Sequence, residues 1–211
     1  MIKQNKLKTV ISTILILLPI LVGVILWDKL PEVMATHFGP NNEPDGFSSK
    51  AFAVFGIPLI MAALHLFCLF MTGLDPKNKN IGKKPLSIVF YIVPAVTLTV
   101  MSATYAISLG VKLNIGFICC LLVGIMLIVV GNILPKAKQN YTFGIKIPWT
   151  LNDEENWNKT HRLAGFLYVI AGAIMLLTAF LQNPYILLVV LVIAVVIPVG
   201  YSYIYYKKHQ K

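Results

Sequence analysis

The sequence predicts an all-α, polytopic integral membrane protein with six transmembrane helices, and three observations carry this prediction. Of the 211 residues, 57% are hydrophobic and only 12% are charged, which leaves too little polar surface to cover a soluble globule. Six windows reach the length of about 20 apolar residues that a hydrocarbon core requires. None of these windows contains Asp, Glu, Lys or Arg.

Taken in chain order, each window gives one predicted span. The spans are Thr9–Trp27, Ala51–Thr72, Leu86–Leu109, Leu113–Leu134, Leu163–Gln182 and Pro184–Tyr206. His65 is the only histidine inside them, and we expect it to be a neutral hydrogen-bonding residue. Because ion-coupled transporters keep charged groups at mid-membrane, the sequence argues against that class of protein.

The basic residues predict the orientation of the chain. Of the 18 Lys and Arg residues, 15 lie on the side of the predicted spans that carries both termini. The three on the other side are Lys29, Lys50 and Lys112. The positive-inside rule then predicts an N-in, C-in topology. We expect residues 1–211 to form a single membrane domain, with an extracellular loop at 28–50 and a cytoplasmic loop at 135–161. Because the basic residues sit at helix ends, the net charge of +10 does not indicate direct nucleic-acid binding.

The outer loop contains a run of turn-forming residues, GPNNEPDG. Within it, Pro44-Asp45-Gly46 is a turn signal with a physical basis, since Pro fixes one backbone angle and Gly permits a positive one. The loop also carries His37, Glu43 and Asp45, whose nitrogen and oxygen atoms are candidate ligands for a divalent cation. Their spacing matches no established metal motif. An ordered turn and a metal site therefore both remain open interpretations.

The sequence of the inner loop predicts a helix that continues into the fifth span. Asn152 is predicted to be its N-cap, with Glu155 at the third helical position as in a capping box. Trp157 and His161 then share one helix face, four residues apart. Trp149 and Trp157 are predicted to be interfacial anchors.

The stretch GNILPKAKQNYTFGIKIPWTLNDEENWNKTHRLAG, Gly131–Gly165, resembles the signature of the SdpI-type immunity proteins. The outer stretch LPEVMATHFGPNNEPDGFSSK resembles the domain of unknown function that commonly precedes that signature. We call Gly131–Gly165 the signature region. Its candidate functional residues are Asn140, Gly144, Lys146, Pro148, Trp149, Thr150, Asn152, Glu154, Trp157, Lys159, Thr160, His161 and Arg162.

The resemblance implies a protein of the bacterial cell membrane that confers immunity to a secreted peptide toxin, the sporulation-delaying toxin in the named member. It also implies a receptor that holds a cytoplasmic repressor at the membrane. The outer residues His37, Phe38, Glu43 and Asp45 would face the toxin, while the signature region would face the repressor. The partners expected are thus an extracellular peptide, a cytoplasmic repressor and membrane lipids, with no direct nucleic acid.

A membrane-embedded hydrolase acting on peptide or lipid, with or without a metal, is the alternative. Its candidate groups are His37, Glu43 and Asp45 outside, or Asp153, Glu154, Glu155 and His161 inside. Neither set has H-E-x-x-H or a comparable spacing, and the inner acids already fit a helix start. Apart from this divalent metal no cofactor is predicted, and we expect a binding protein rather than an enzyme.

Overall fold

The computed structural model describes residues 5–181 and 183–209. Its long helices, in chain order, are α1 (Lys6–Ile25), α2 (Ile57–Leu74), α3 (Lys83–Ser108), α4 (Ile115–Ile133), α6 (Glu154–Thr178) and α7 (Pro184–His209), with a short α5 (Pro148–Leu151) before α6. A π-helical turn, Phe52–Gly56, leads into α2. The strands β1 (Val33–Phe38) and β2 (Pro44–Ser49) form an antiparallel hairpin between α1 and α2.

Six helices in the described residues are long and apolar enough to cross a membrane, which confirms the predicted fold class. They correspond one to one with the predicted windows, although α6 begins well before Leu163 because the inner helix and the fifth span are continuous. Gln182, the predicted end of that span, lies outside the described residues. The orientation of the six helices stays a prediction.

The chain divides into two compact units. The first comprises Met1–Phe70 and Val89–Ile118, and the second comprises Met71–Ile88 and Cys119–Lys211. The hairpin belongs to the first unit and the signature region to the second.

The core of the first unit lies beneath the hairpin. Its buried side chains are Leu30, Met34, Ala53, Val54, Met101 and Tyr105. The Tyr105 hydroxyl donates to the Pro19 carbonyl over 2.8 Å, at a point where Gly23 lets the tyrosine approach α1 closely. Because lipid tails are as apolar as the side chains of the spans, van der Waals packing and hydrogen bonds such as that of Tyr105 stabilise this core.

A second buried contact in the first unit joins α1 to α2. The Ser12 hydroxyl lies 2.8 Å from Nε2 of His65, and both side chains are fully buried. Because Ser12 also donates to the Thr9 carbonyl over 3.0 Å, a coherent arrangement has the His65 Nε2–H donating to Ser12. His65 thus makes the hydrogen bond expected of it and ties two spans together.

The hairpin was not predicted, and its turn lies earlier than the sequence suggested. The chain reverses between Gly39 and Glu43, where the Gly39 N–H donates to the Glu43 carbonyl over 2.8 Å. Asn42 takes the positive φ of 64°, which Asn tolerates better than most residues. Residues 44–46, the predicted turn, instead lie in β2.

In the second unit, glycines allow α4 and α6 to approach closely. A Cβ on Gly131 would lie 2.7 Å from the Gly165 carbonyl oxygen, and a Cβ on Gly172 would lie 2.5 Å from the carbonyl oxygen of Gly124. Small residues at helix crossings are typical of membrane bundles, where backbone proximity increases van der Waals contact. These close contacts fix α6, whose first residues belong to the signature region, against α4.

Candidate functional site

The signature region folds over the start of α6 as a cap of short turns. Its helix α6 begins at Glu154, and Asp153 is the N-cap, since its carboxylate accepts from the N–H groups of Glu155 and Asn156. The prediction that Asn152 is the N-cap was wrong. Asn152 instead ends α5, where its N–H donates to the Pro148 carbonyl over 3.1 Å.

Trp157 and His161 form the centre of the cap. As predicted they share one face of α6, and their rings stack with centroids 3.9 Å apart and an interplanar angle of 21°. Both side chains are buried, with exposed fractions of 0% and 1%. The Trp157 indole N–H donates to the Ala137 carbonyl over 2.8 Å. The predictions that Trp157 anchors at the interface and that His161 is available to a soluble partner were therefore wrong, because the loop 137–145 folds over both rings.

The hydrogen bonds of His161 define its protonation state. Nδ1 lies 2.7 Å from the Trp157 carbonyl, and Nε2 accepts from the Ile145 N–H over 2.9 Å. A carbonyl needs a donor and an N–H needs an acceptor, so the proton is on Nδ1 and the imidazole is neutral. In this arrangement His161 fixes the backbone of the loop to α6.

Gly144 is required where the loop crosses these rings. Its φ is +126°, a backbone conformation that side chains with a Cβ rarely adopt. A Cβ at this position would also collide with Nε2 of His161 and lie 3.0 Å from the Trp157 ring. The glycine therefore allows the loop to lie directly on the stacked pair.

Two further signature residues, Asn140 and Thr150, organise the loop from inside. The buried Asn140 donates through Nδ2 to the carbonyls of Lys138 and Phe143, while its Oδ1 accepts from the N–H groups of Thr142 and Phe143. The buried Thr150 hydroxyl accepts from the Ile147 N–H over 3.1 Å. Both residues satisfy buried backbone groups, which would otherwise be costly.

Thr160 belongs to a buried polar contact between α6 and α7. Its hydroxyl and that of Ser202 both donate to Oδ1 of Asn156, over 2.9 and 2.6 Å. Nδ2 of Asn156 donates to the Ser202 carbonyl over 3.0 Å. Asn156 and Ser202 were missed by the sequence analysis, although a polar residue on an otherwise apolar helix face could have signalled them.

Asp75 is a second residue that the sequence analysis missed. It follows α2 directly, is buried, and accepts from the Thr142 hydroxyl and the Tyr141 N–H over 2.8 and 2.9 Å. It also accepts from the Lys77 N–H over 2.7 Å. A buried carboxylate with three donors ties the α2–α3 connection to the signature region.

The same connection makes further contacts with the signature region. The Lys77 ammonium donates to the Gln139 side chain over 2.6 Å, and the Asn80 side chain donates to the Gln139 carbonyl over 2.9 Å. In return the Lys138 N–H donates to the Asn80 carbonyl over 3.1 Å. The two connections therefore form one hydrogen-bonded cap on the second unit.

The remaining signature residues lie on the outer surface of the cap. The exposed ones are Lys146, Pro148, Asn152, Glu154, Lys159 and Arg162. Lys159 forms an ion pair with Glu155 over 2.8 Å, and its ammonium lies 4.6 Å from the centre of the Tyr205 ring. Trp149 is half-buried against Tyr203 and Tyr206, and its role as an interfacial anchor stays a prediction.

In the first unit the structure brings two of the predicted outer residues together. His37 on β1 and Asp45 on β2 pair across the hairpin, with Nδ1 and Oδ1 2.5 Å apart and both side chains exposed. Among the described residues, no group of three His, Cys, Asp or Glu side chains could hold a metal ion. Glu43 therefore does not complete a metal site with this pair.

Asn42 and Lys50 hold the hairpin in place. The Asn42 side chain accepts from the N–H groups of Ile115 and Gly116, and so caps the start of α4. The buried Lys50 ammonium donates to the carbonyls of Trp27 and Leu30 and pairs with Glu32 over 2.8 Å. Both ends of the hairpin are thus bonded to helix ends.

The fold and these two polar regions define a multi-pass α-helical protein of the cell membrane with a small hairpin and an organised loop cap. The chain matches the SdpI/YfhL protein family over residues 136–202 and a domain of unknown function, DUF1648, over residues 14–62. It is 36% identical over 208 residues to the immunity protein SdpI of Bacillus subtilis (strain 168), covering 95% of this chain and 97% of that protein. The chain therefore belongs to the SdpI/YfhL family. No solved structure matches it.

Proposed function

We propose that this chain is a membrane immunity protein that protects a bacterium against a secreted, membrane-active peptide toxin. The observation that carries the proposal is the 36% identity to an immunity protein across 95% of the chain. The likeness includes both polar regions, the hairpin and the cap, and is not confined to the apolar spans. Since apolar spans resemble one another by composition alone, the irregular polar regions are the more specific evidence.

We further propose that both termini and the cap lie in the cytoplasm, so that the hairpin lies outside. The support is the distribution of Lys and Arg, of which only Lys29, Lys50 and Lys112 fall on the hairpin side. The test uses a variant without its native cysteines. A cysteine at the exposed Asn41 should react with an impermeant thiol reagent on intact cells, and one at the exposed Lys79 should react only after lysis. The reverse pattern would contradict the orientation.

The outer surface proposed to meet the toxin comprises His37, Phe38, Glu43 and Asp45. Three of these side chains are exposed and Phe38 is half-buried. They lie on a hairpin held from below by Lys50 and at its tip by Asn42. A rigid support of this kind favours recognition, because less conformational entropy is lost on binding.

The finer proposal is that the cap also recruits a cytoplasmic repressor. Glu154, Lys159 and Arg162 provide exposed charges on α6, the helix that carries the buried Trp157–His161 pair. For the toxin to control this surface it must bind one of two states of the protein more tightly than the other. The exposed charges would then contact the repressor in only one of those states.

The test is survival of a toxin-sensitive bacterium that expresses this chain. Cells are challenged with purified sporulation-delaying toxin, alongside cells with an empty vector and cells that express the B. subtilis immunity protein. Expression of this chain should raise survival to the level of that relative. Survival equal to the empty vector, with the protein present in the membrane, would contradict immunity to this toxin.

The fate of the toxin distinguishes the hydrolase alternative from the immunity proposal. His161, the histidine among the inner candidate groups of the hydrolase, is buried with both ring nitrogens hydrogen-bonded, so a substrate cannot reach it. The immunity proposal predicts that intact toxin is recovered from protected cells by mass spectrometry. Stoichiometric recovery of cleaved toxin would instead favour the hydrolase.

A further inference from the structure

The outer edge of β1 is a free strand edge. Lys50 N–H donates to the Glu32 carbonyl over 2.9 Å, which marks Glu32 and Lys50 as a hydrogen-bonded pair of the antiparallel ladder. Hydrogen-bonded and non-hydrogen-bonded pairs alternate along such a ladder. The backbone groups of Val33 and Ala35 therefore point away from β2, and no described residue bonds to them.

The two edges of the hairpin differ. The β2 side packs against the turn Phe52–Gly56, and the Ser49 hydroxyl accepts the Phe52 N–H over 3.3 Å. β2 also begins with Pro44, which has no N–H to offer a new strand. By contrast β1, with the sequence VMATHF, has no proline and no Lys or Glu of the kind that commonly protects an edge.

The side chains beside this edge are apolar, with two carboxylates towards the hairpin tip, of which Asp45 pairs with His37 of β1. Val33 and Phe47 are each 60% exposed, and the register places Phe47 opposite Ala35, on the same face as Val33. From residue 33 to residue 49 the carboxylates of Glu43 and Asp45 are present without any Lys or Arg. Lys50, which follows β2, is buried and paired with Glu32. Lys112 is an exposed cation next to Leu113, whose carbonyl accepts from the Asn42 side chain at the hairpin tip.

We propose that the outer edge of β1 binds an extended, basic and apolar segment of the toxin by strand addition. The inference rests on the proposed immunity function and specifies how that function begins. Main-chain groups of Val33 and Ala35 would bond the added strand, as in other complexes formed by strand addition. Its apolar residues would contact Val33 and Phe47, and its basic residues would face Glu43 and Asp45. A second copy of this chain would bring the same carboxylates together and is disfavoured by charge.

The first test removes one outward N–H. Ala35→Pro deletes the Ala35 donor without breaking a bond to β2. The control Ser49→Pro deletes the outward donor of the opposite edge together with the hydroxyl that accepts the Phe52 N–H, so it is the more disruptive of the two changes. Protection against purified sporulation-delaying toxin should fall at least tenfold for Ala35→Pro and stay within twofold of the wild type for Ser49→Pro, at equal membrane levels. Equal protection by Ala35→Pro and the wild type, or equal losses in both variants, would overturn the assignment to β1.

The second test uses the unaltered protein and so does not depend on how a variant folds. Hydrogen exchange is followed in lipid nanodiscs with and without purified toxin, and exchange at residues 33–36 should slow at least tenfold on toxin addition. Slowing elsewhere but not at 33–36 would overturn strand addition, as would slowing without toxin that increases with protein density, which indicates self-pairing. A wild type that fails to protect cells contradicts the proposed function instead, so the two failures are distinct.

Discussion

The imidazole of His161 lies stacked on the indole of Trp157, and its Nε2 accepts the backbone N–H of Ile145. One buried side chain thereby joins a helix to the loop that covers it. The polar stretch of the signature region has, at its centre, a buried contact between α6 and the loop that covers it. This contact holds the loop 137–145 against α6.

The first prediction concerns this hydrogen bond. His161→Phe keeps an aromatic ring but removes the acceptor of the Ile145 N–H, and an unsatisfied buried donor costs about 1–3 kcal/mol. The purified protein should lose that much stability in thermal unfolding. The control Arg162→Ala, at the neighbouring exposed position, should change stability by about 0.5 kcal/mol or less. Unchanged stability in His161→Phe would mean that the bond does not hold the loop.

The second prediction compares two glycines with positive φ. Gly144→Ala and Gly110→Ala each place a Cβ in a disfavoured conformation, at a cost of about 1–2 kcal/mol, but space is open only at Gly110. Gly144→Ala should therefore be the more destabilising by about 1–3 kcal/mol, the usual range for overpacking. Thermal unfolding of both variants measures the difference, and equal losses would show that His161 and Trp157 do not crowd this position.

Much of the fold follows from composition and length. The six spans could be predicted because only a continuous apolar helix satisfies its backbone groups inside lipid. The hairpin could not, because its six-residue strands are short, its turn depends on the positive φ of Asn42, and its anchoring contact, between Asn42 and the start of α4, joins residues more than 70 positions apart. Long-range contacts of this kind leave no local pattern.

The signature region likewise has features that the sequence could predict and features that it could not. The face shared by Trp157 and His161 was predictable from helical periodicity, but their burial was not, because it depends on the loop 137–145 folding back over α6. Polar and aromatic residues near a membrane ordinarily suggest an exposed, interfacial position. Asp75 was missed because its three donors come from both connections.

The third prediction tests Asp75. Asp75→Ala leaves the N–H groups of Lys77 and Tyr141 and the Thr142 hydroxyl without their acceptor, so the cap should open more often. Hydrogen exchange at residues 138–143 should become about ten- to a hundredfold faster, the equivalent of about 1.4–2.8 kcal/mol. Asp28→Ala, at an exposed position in the first unit, should leave that exchange unchanged. Unaltered exchange in Asp75→Ala would contradict the inference that Asp75 holds the α2–α3 connection to the signature region.

The fourth prediction separates signalling from immunity. The double variant Glu154→Ala, Lys159→Ala removes exposed charge and one solvent-screened surface ion pair, while leaving Asp153 and the buried pair in place. Survival under toxin should be unchanged, but toxin-induced transcription of the gene's own operon should fall. Unchanged induction would show that these charges do not contact a repressor.

The central claim is that this chain prevents a peptide from acting on the membrane, and the membrane potential tests it most directly. The potential is recorded with a voltage-sensitive dye in sensitive cells that express the chain, as purified sporulation-delaying toxin is added. The account predicts that the potential is maintained at toxin concentrations that collapse it in empty-vector cells. Collapse at the same concentration and rate in both, with the protein present in the membrane, would contradict it.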